Sequence, residues 1–379
     1  MRNTPDGAGR GRLGQSKITI LLAVAGLLSL VPAHPMARTL VVAKSEPRDF
    51  SSVAAAVLTA ASGDTVLVQP GTYDEWEPRG STRYAAREGV SLSLVGATGS
   101  SKDVLIRGLC VYLLHCEAAT VRAMSFDGGD CALLLSARSG EVRGCRFSGI
   151  GTSIGGAVSV QGGTTTIENC VFQGNGNIGG IWDGGALYSS AVTIARDCVF
   201  IGNLGRYGGA VYTDDDGGTV LQNCVFLKNR AEIEGGAVFM WKGGRIENCT
   251  FFDNAMSGGG AIACATEGTE VRNCIVAGTR GGTAVSCGLT LSPKCCDFWG
   301  NEGGDLGGWC TGLPGDGVFS EDPLFCNPSI NDVGLTVGSP CLPGGTGGPD
   351  CGLIGAFGQQ CGLIPVVRMT WGAVKNRYR

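Results

Sequence analysis

From residue 145 to residue 301, turn-forming, small and aromatic positions recur with a period of about 25 residues. One signature joins a turn residue to Cys and a later apolar residue: Gly144-Cys145-Arg146-Phe147, Asn169-Cys170-Val171-Phe172, Asp197-Cys198-Val199-Phe200 and Asn223-Cys224-Val225-Phe226. Asn248-Cys249-Thr250-Phe251, Asn273-Cys274-Ile275-Val276 and a last copy from Cys296 to Asn301 continue it. The cysteine intervals are 25, 28, 26, 25, 25 and 22 residues. Between these copies recurs Gly-Gly-Ala followed by Val, Leu or Ile, at 155–158, 184–187, 208–211, 235–238 and 259–262. Two interleaved signatures in fixed order mean a stacked array. The runs between glycines are short and β-type, with no helical periodicity. The pattern predicts an all-β fold, a right-handed parallel β-helix of three-strand coils. Each strand pairs with its copy one coil later, at ~4.8 Å.

Stacking dictates the residue types. An inward side chain meets its own copy above and below, so like residues form ladders. Cysteine is small and apolar enough for a cramped interior, and phenylalanine two positions on shares its face. Cys145, Cys170, Cys198, Cys224, Cys249, Cys274 and Cys296 are predicted to line one inner edge as mostly free thiols, because parallel side chains one coil apart are poorly aimed for a disulfide. Cys264 and Cys287 occupy equivalent positions on adjacent coils. Asn before Cys, and paired glycines, suit bends that need positive φ. If Val158, Leu187, Val211, Val238 and Ile262 point inward, then Ser159, Tyr188, Tyr212, Phe239 and Ala263 point outward. The reverse parity makes the aromatics an interior stack.

The array needs ends. Residues 50–62 read as an amphipathic helix with Phe50, Val53, Val57 and Ala61 on one face, capped by Asp49 or Ser51 and stopped at Gly63. This is the expected N-terminal cap, within 38–63 of a β-helix spanning 38–301. Residues 302–361 lose the repeat and hold Cys310, Cys326, Cys341, Cys351 and Cys361. They are expected to form a loop-rich C-terminal cap over the last coil, stapled by disulfides whose connectivity the sequence leaves open. In the 362–379 tail, Trp371, Val374 and Tyr378 share a helical face among basic residues, which suits a surface-retention tag or a frayed basic end. Residues 1–37 combine a basic start, an uncharged Ile18 to Val31 stretch and small residues at Ala33 and Ala37. They read as a secretory signal, too short in their apolar part for a membrane anchor.

Composition narrows the classes. Glycine supplies 65 of 379 residues, and each interior Gly costs a helix about 1 kcal/mol. Only 16 % of residues are charged and the net charge is −4, which excludes disorder and argues against a nucleic-acid partner. The two histidines, His34 and His115, leave little room for imidazole chemistry. Eighteen cysteines behind an export signal suggest disulfides.

Alternating Gly-Gly-Ala-[Ile/Leu/Val] and Phe-x-x-Asn resembles the repeat of the polymorphic outer-membrane proteins, and more broadly that of bacterial exported β-helix proteins of the pectate-lyase-like superfamily. Residues 50–57, Gly63-Asp64-Thr65-Val66-Leu67-Val68 and Pro70-Gly71-Thr72-Tyr73 resemble the opening segment of such proteins. Asp322-Pro323-Leu324-Phe325, Gly338-Ser339-Pro340-Cys341 and Ile354-Gly355-Ala356-Phe357 resemble their closing segment. The resemblance implies a secreted or cell-surface protein. It leaves activity open, because the group includes lyases, hydrolases and adhesins.

Candidate chemistry gathers in the coils from 184 to 244. The acidic run Asp214-Asp215-Asp216 is a candidate Ca²⁺ site, the only cofactor expected, although such turns are commonly just solvated loops. In register with it lie Trp241 and Lys242, with Glu267 one coil further on. Tyr188, Tyr212, Phe239, Trp241 and Lys242 form a candidate ligand wall for a sugar face or a partner protein. The polygalacturonase signatures are absent, and His115 reads as structural. The expectation is a monomeric, non-catalytic exported scaffold, binding a polysaccharide or a cell-surface partner and lacking a membrane span once the signal is removed. The alternative is a polysaccharide lyase or glycoside hydrolase.

Overall fold

The computed structural model describes residues 36–151, 155–176, 183–214, 218–256, 259–308, 310 and 315–361. Residues 1–35 of the expected signal, the 362–379 tail, Asp215 and Asp216 lie outside them. The described chain is a parallel β-solenoid of about ten coils with a single α-helix, Val53–Thr59. Sheets of seventeen and ten strands wind around one apolar interior.

The repeat maps onto this interior one residue type at a time. The ten-stranded sheet points Phe126, Phe147, Phe172, Phe200, Phe226 and Phe251 inward as one ring stack, with successive centroids 4.5 to 5.4 Å apart. Val276 interrupts the stack before Phe298. Each residue before a ladder cysteine holds positive φ, from Asn169 at 55° to Asn273 at 52°. Asn and Asp tolerate that bend, which is why they recur there. The seven ladder cysteines are buried free thiols. Each S–H donates to the carbonyl two residues earlier, as in Cys198 to Arg196 at 3.1 Å. Asn175, Asn203, Asn229 and Asn254 form a buried amide ladder, each side chain accepting from the backbone N–H or the amide of the coil before.

The N-terminal helix is shorter than the pattern suggested. Its N-cap is Ser52, whose Oγ accepts from the Ala55 N–H at 3.2 Å, and it ends at Ala60 rather than at Gly63. Glu75 explains the start. This buried carboxylate accepts from Ser52 Oγ at 2.7 Å and from the Val53 N–H at 2.6 Å, satisfying donors that an isolated helix leaves bare. Val53, Ala54, Ala56 and Val57 cover the first coil. Beside them, the Arg38 guanidinium and N–H, with the Ala61 N–H, hold the Asp64 carboxyl down at about 2.

The C-terminal segment departs from expectation. It does not simply cover the last coil; it runs back along the outer face of the phenylalanine sheet. There Val333, Phe325, Ala356 and Phe357 pack on Val199, Ile201, Val225 and Leu227, while Leu335, Cys341 and Ile354 pack on Ile275 and Ala277. The Ala356 N–H donates to Thr250 Oγ1 at 2.9 Å and Asn248 Nδ2 donates to the Leu353 carbonyl at 3.2 Å. The cause is in the repeat. Outward positions on this sheet are Arg146 and Ser148 in an early coil but become Val199, Ile201, Val225 and Leu227 later. An apolar outer face needs a cover.

Disulfides follow a geometric rule. Cys287–Cys310, Cys295–Cys351 and Cys326–Cys361 fasten the C-terminal segment, and Cys110–Cys131 joins two early coils. Cys341, expected among the stapled residues, is a free thiol donating to Asp297 Oδ2 at 3.2 Å. Cys264 and Cys287 are direct strand partners, as their spacing predicted, yet Cys287 bonds Cys310, whereas its partner in the next strand is Gly308. Cysteines in direct register stay reduced and off-register pairs close, as side-chain aim requires.

Candidate functional site

Three short strands, Leu187–Ser189, Val211–Thr213 and Val238–Met240, build the candidate wall. Their register aligns Leu187, Val211 and Val238, all buried in the core, and alternately Tyr188, Tyr212 and Phe239, which stand outside it. Ring centroids follow one another at 5.7 Å from Tyr188 to Tyr212, 5.5 Å to Phe239 and 6.0 Å to Trp241.

This wall is not bare. Leu204–Tyr207 and Arg230–Glu234 pair in a small two-stranded sheet beside it. The Tyr207 ring meets Phe239 edge-on at 5.0 Å, and Phe239 is only 2 % exposed. Phe239 therefore packs between its neighbours and does not face a ligand, a correction to the reading of an open aromatic row. Tyr188 and Tyr212 are half-buried and Trp241 is 46 % exposed. The covering chain leaves the coil at one corner, Leu204–Tyr207 within the 26-residue interval and Arg230–Glu234 within the 25-residue interval that follows.

The acidic groups cluster at that corner. Tyr188 Oη donates to Asp214 Oδ2 at 2.9 Å, while Asp214 Oδ1 and Asp183 Oδ1 are buried without a hydrogen-bond partner. Each such orphan costs ~1–3 kcal/mol, so two together mark a site whose polar capacity is not used internally. Burial raises the Asp183 carboxyl, and the Asp214 charge adds to the rise; Arg206 and a hydrogen bond from the Tyr207 backbone oppose it. Burial first, then the Asp183 and Asp214 charges, push Tyr212 up to about 12. Tyr188 rises too, through burial and its bond to Asp214. Both phenols therefore remain hydrogen-bond donors.

Of the sequence-predicted residues, the structure brings together Tyr188, Tyr212, Phe239, Trp241 and Asp214. Lys242 is exposed in the turn after Trp241, where Thr266 Oγ1 donates to the Trp241 carbonyl at 2.7 Å and brings the Glu267 turn alongside. Asp215 and Asp216 fall outside the described residues. Among the described residues, no group of three or more His, Cys, Asp or Glu side chains is arranged to hold a metal ion. His115 is exposed and 3.3 Å from Glu88. Asp183, Arg206 and Tyr207 were missed from sequence. The longer cysteine intervals were the signal that could have found them.

Residues 109–276 match a family model described as the right handed beta helix region. The chain has the fold of a parallel β-helix repeat. No curated protein matches it. Among the described residues, no helix of this β-helix protein is long and apolar enough to cross a membrane.

Proposed function

We propose that this protein is an exported β-helix scaffold that binds polysaccharide along the outer wall formed by Tyr188, Tyr212 and Trp241. The carrying observation is the pair of buried, unpartnered carboxylate oxygens of Asp183 and Asp214 beside stacked rings. Aromatic faces suit the apolar face of a sugar and carboxylates accept from its hydroxyls, which is what a glycan site needs and a solvated turn does not. The basic, apolar N-terminal stretch supports export. A glycan array probed with the purified protein tests the reading. Retention of linear polysaccharides by the wild type, and its loss in Asp214→Asn, is expected; no retention on any glycan refutes it.

One observation favours a second reading, in which the wall hydrolyses what it binds. Burial raises the Asp183 carboxyl and the nearby Asp214 charge adds to the rise, and two neighbouring carboxyls are what glycoside hydrolysis needs. Reducing ends released from a retained polysaccharide, and abolished by Asp183→Asn, would establish catalysis.

A further inference from the structure

Three coils before Tyr188, the same outward column carries another aromatic and acidic group. Strand register runs from Tyr112 through Leu134 and Ser159 to Tyr188. Tyr112 therefore sits ~14 Å along the solenoid axis from Tyr188, at one strand spacing per coil. Tyr84 meets Tyr112 edge-on at 5.6 Å, and its hydroxyl donates to Asp130 Oδ2 at 3.3 Å. Trp76 lies across Gly108, where a Cβ would fall 2.2 Å from the indole; a glycine there makes the room the ring needs. Trp76 and Tyr84 are 36 % and 44 % exposed, so neither is spent on the core. The column between the two groups is buried at Leu134 and Ser159. Both groups thus have the same make-up: a pair of tyrosines in contact, an aspartate accepting from one of their hydroxyls, and an exposed tryptophan.

We propose that Trp76, Tyr84, Tyr112 and Asp130 form a second subsite. One linear polysaccharide of uncharged sugars would then lie along the axis and occupy both. This rests on the glycan reading of the Tyr188–Tyr212 wall and adds its length and charge class. Carboxylates at both stations, Asp130 at one and Asp183 with Asp214 at the other, accept from hydroxyls but repel a polyuronide. Arg206 at the corner of the upper station is offset by Asp183, whose carboxyl it faces. Two stations on one rigid wall make the second contact intramolecular, so affinity must climb once a ligand reaches both.

Calorimetric titration of the full chain with cello-, manno-, xylo- and chito-oligosaccharides, from disaccharide to octasaccharide, tests this, with oligogalacturonides as the anionic arm. The expected result for the neutral series that binds is a rise of at least about tenfold between trisaccharide and hexasaccharide. The Trp76→Ala/Tyr84→Ala variant should bring the hexasaccharide down to trisaccharide affinity and leave the trisaccharide unchanged. Tyr84→Phe, which keeps the ring, should retain most of the gain and serves as the folded control. Length-independent affinity, an unaltered hexasaccharide affinity in the double variant, or tighter binding of oligogalacturonide than of a neutral chain of equal length overturns the second subsite alone. Failure of every arm to bind overturns the glycan reading, and this proposal with it.

Discussion

Removing the Asn203 side chain should destabilise the solenoid by about 4–6 kcal/mol. Its Oδ1 accepts from the Asn175 N–H at 3.0 Å and from Asn175 Nδ2 at 2.9 Å; its Nδ2 donates to the Phe172 carbonyl at 3.1 Å and to Asn229 Oδ1 at 2.9 Å. Asn203 is fully buried, so water cannot replace these partners. Alanine strands the Asn175 N–H, at ~1–3 kcal/mol, and forfeits the remaining bonds at ~1 kcal/mol net apiece. Asn203→Leu, which refills the volume, should lose a similar amount, since the deficit is polar rather than a cavity. Asn301→Ala is the control. Asn301 is half-buried in the last regular coil, and its side chain bonds the Thr279 N–H and the Val276 carbonyl, so its loss should be about 1 kcal/mol. Urea unfolding followed by circular dichroism gives the three values, provided the slope with denaturant is unchanged. A loss under ~1 kcal/mol for Asn203→Ala, or full rescue by Asn203→Leu, would refute the ladder as a stabilising element.

Buried titratable groups give two further tests. Thiol titration in denaturant without reductant should count ten free cysteines of the eighteen, the ladder seven plus Cys116, Cys264 and Cys341; a count near zero would mean that the ladder is oxidised. Asp297 lies beneath the C-terminal segment, and burial pushes its carboxyl up to about 7. Its proton is bound more tightly in the folded than in the unfolded chain. The stability this contributes is complete below the unfolded value near 4 and is lost as pH rises through about 7. The Asp297→Asn variant is therefore expected to exceed the wild type in stability at pH ~8 by a few kcal/mol and to converge with it near pH ~4; parallel pH profiles would count against a buried, proton-holding carboxyl.

The coil and its ladders were legible because stacking forces like residues into register. The Cys-x-Phe spacing, the positive-φ residue before each ladder Cys and the outward parity of Tyr188 and Tyr212 are all local consequences of one period. Two features escaped because they depend on what lies outside the coil. The C-terminal segment folds back over Val199, Ile201, Val225 and Leu227, and its Ala356 reaches Thr250 across 106 positions, a contact that no periodicity encodes. The burial of Phe239 under Tyr207 likewise depends on chain leaving the coil at a corner, which the 26-residue interval counts but does not aim. The candidate site was half legible for the same reason: strand residues such as Tyr212 were named, whereas Asp183 and Arg206, which come from the corner, were not.

Binding of polysaccharide by the outer wall is tested most directly by tryptophan emission during titration with a glycan the protein retains. Trp241 ends the stacked row and is 46 % exposed. Saturable quenching or a blue shift is predicted for the wild type. Trp241→Phe should lose the share of that signal that Trp241 supplies, leaving that of Trp76, and Tyr212→Ala should bind at least about tenfold more weakly, a loss of ~1.4 kcal/mol, while both keep the wild-type circular dichroism. Undiminished affinity in Tyr212→Ala together with an unchanged emission response in Trp241→Phe would contradict the glycan-binding wall.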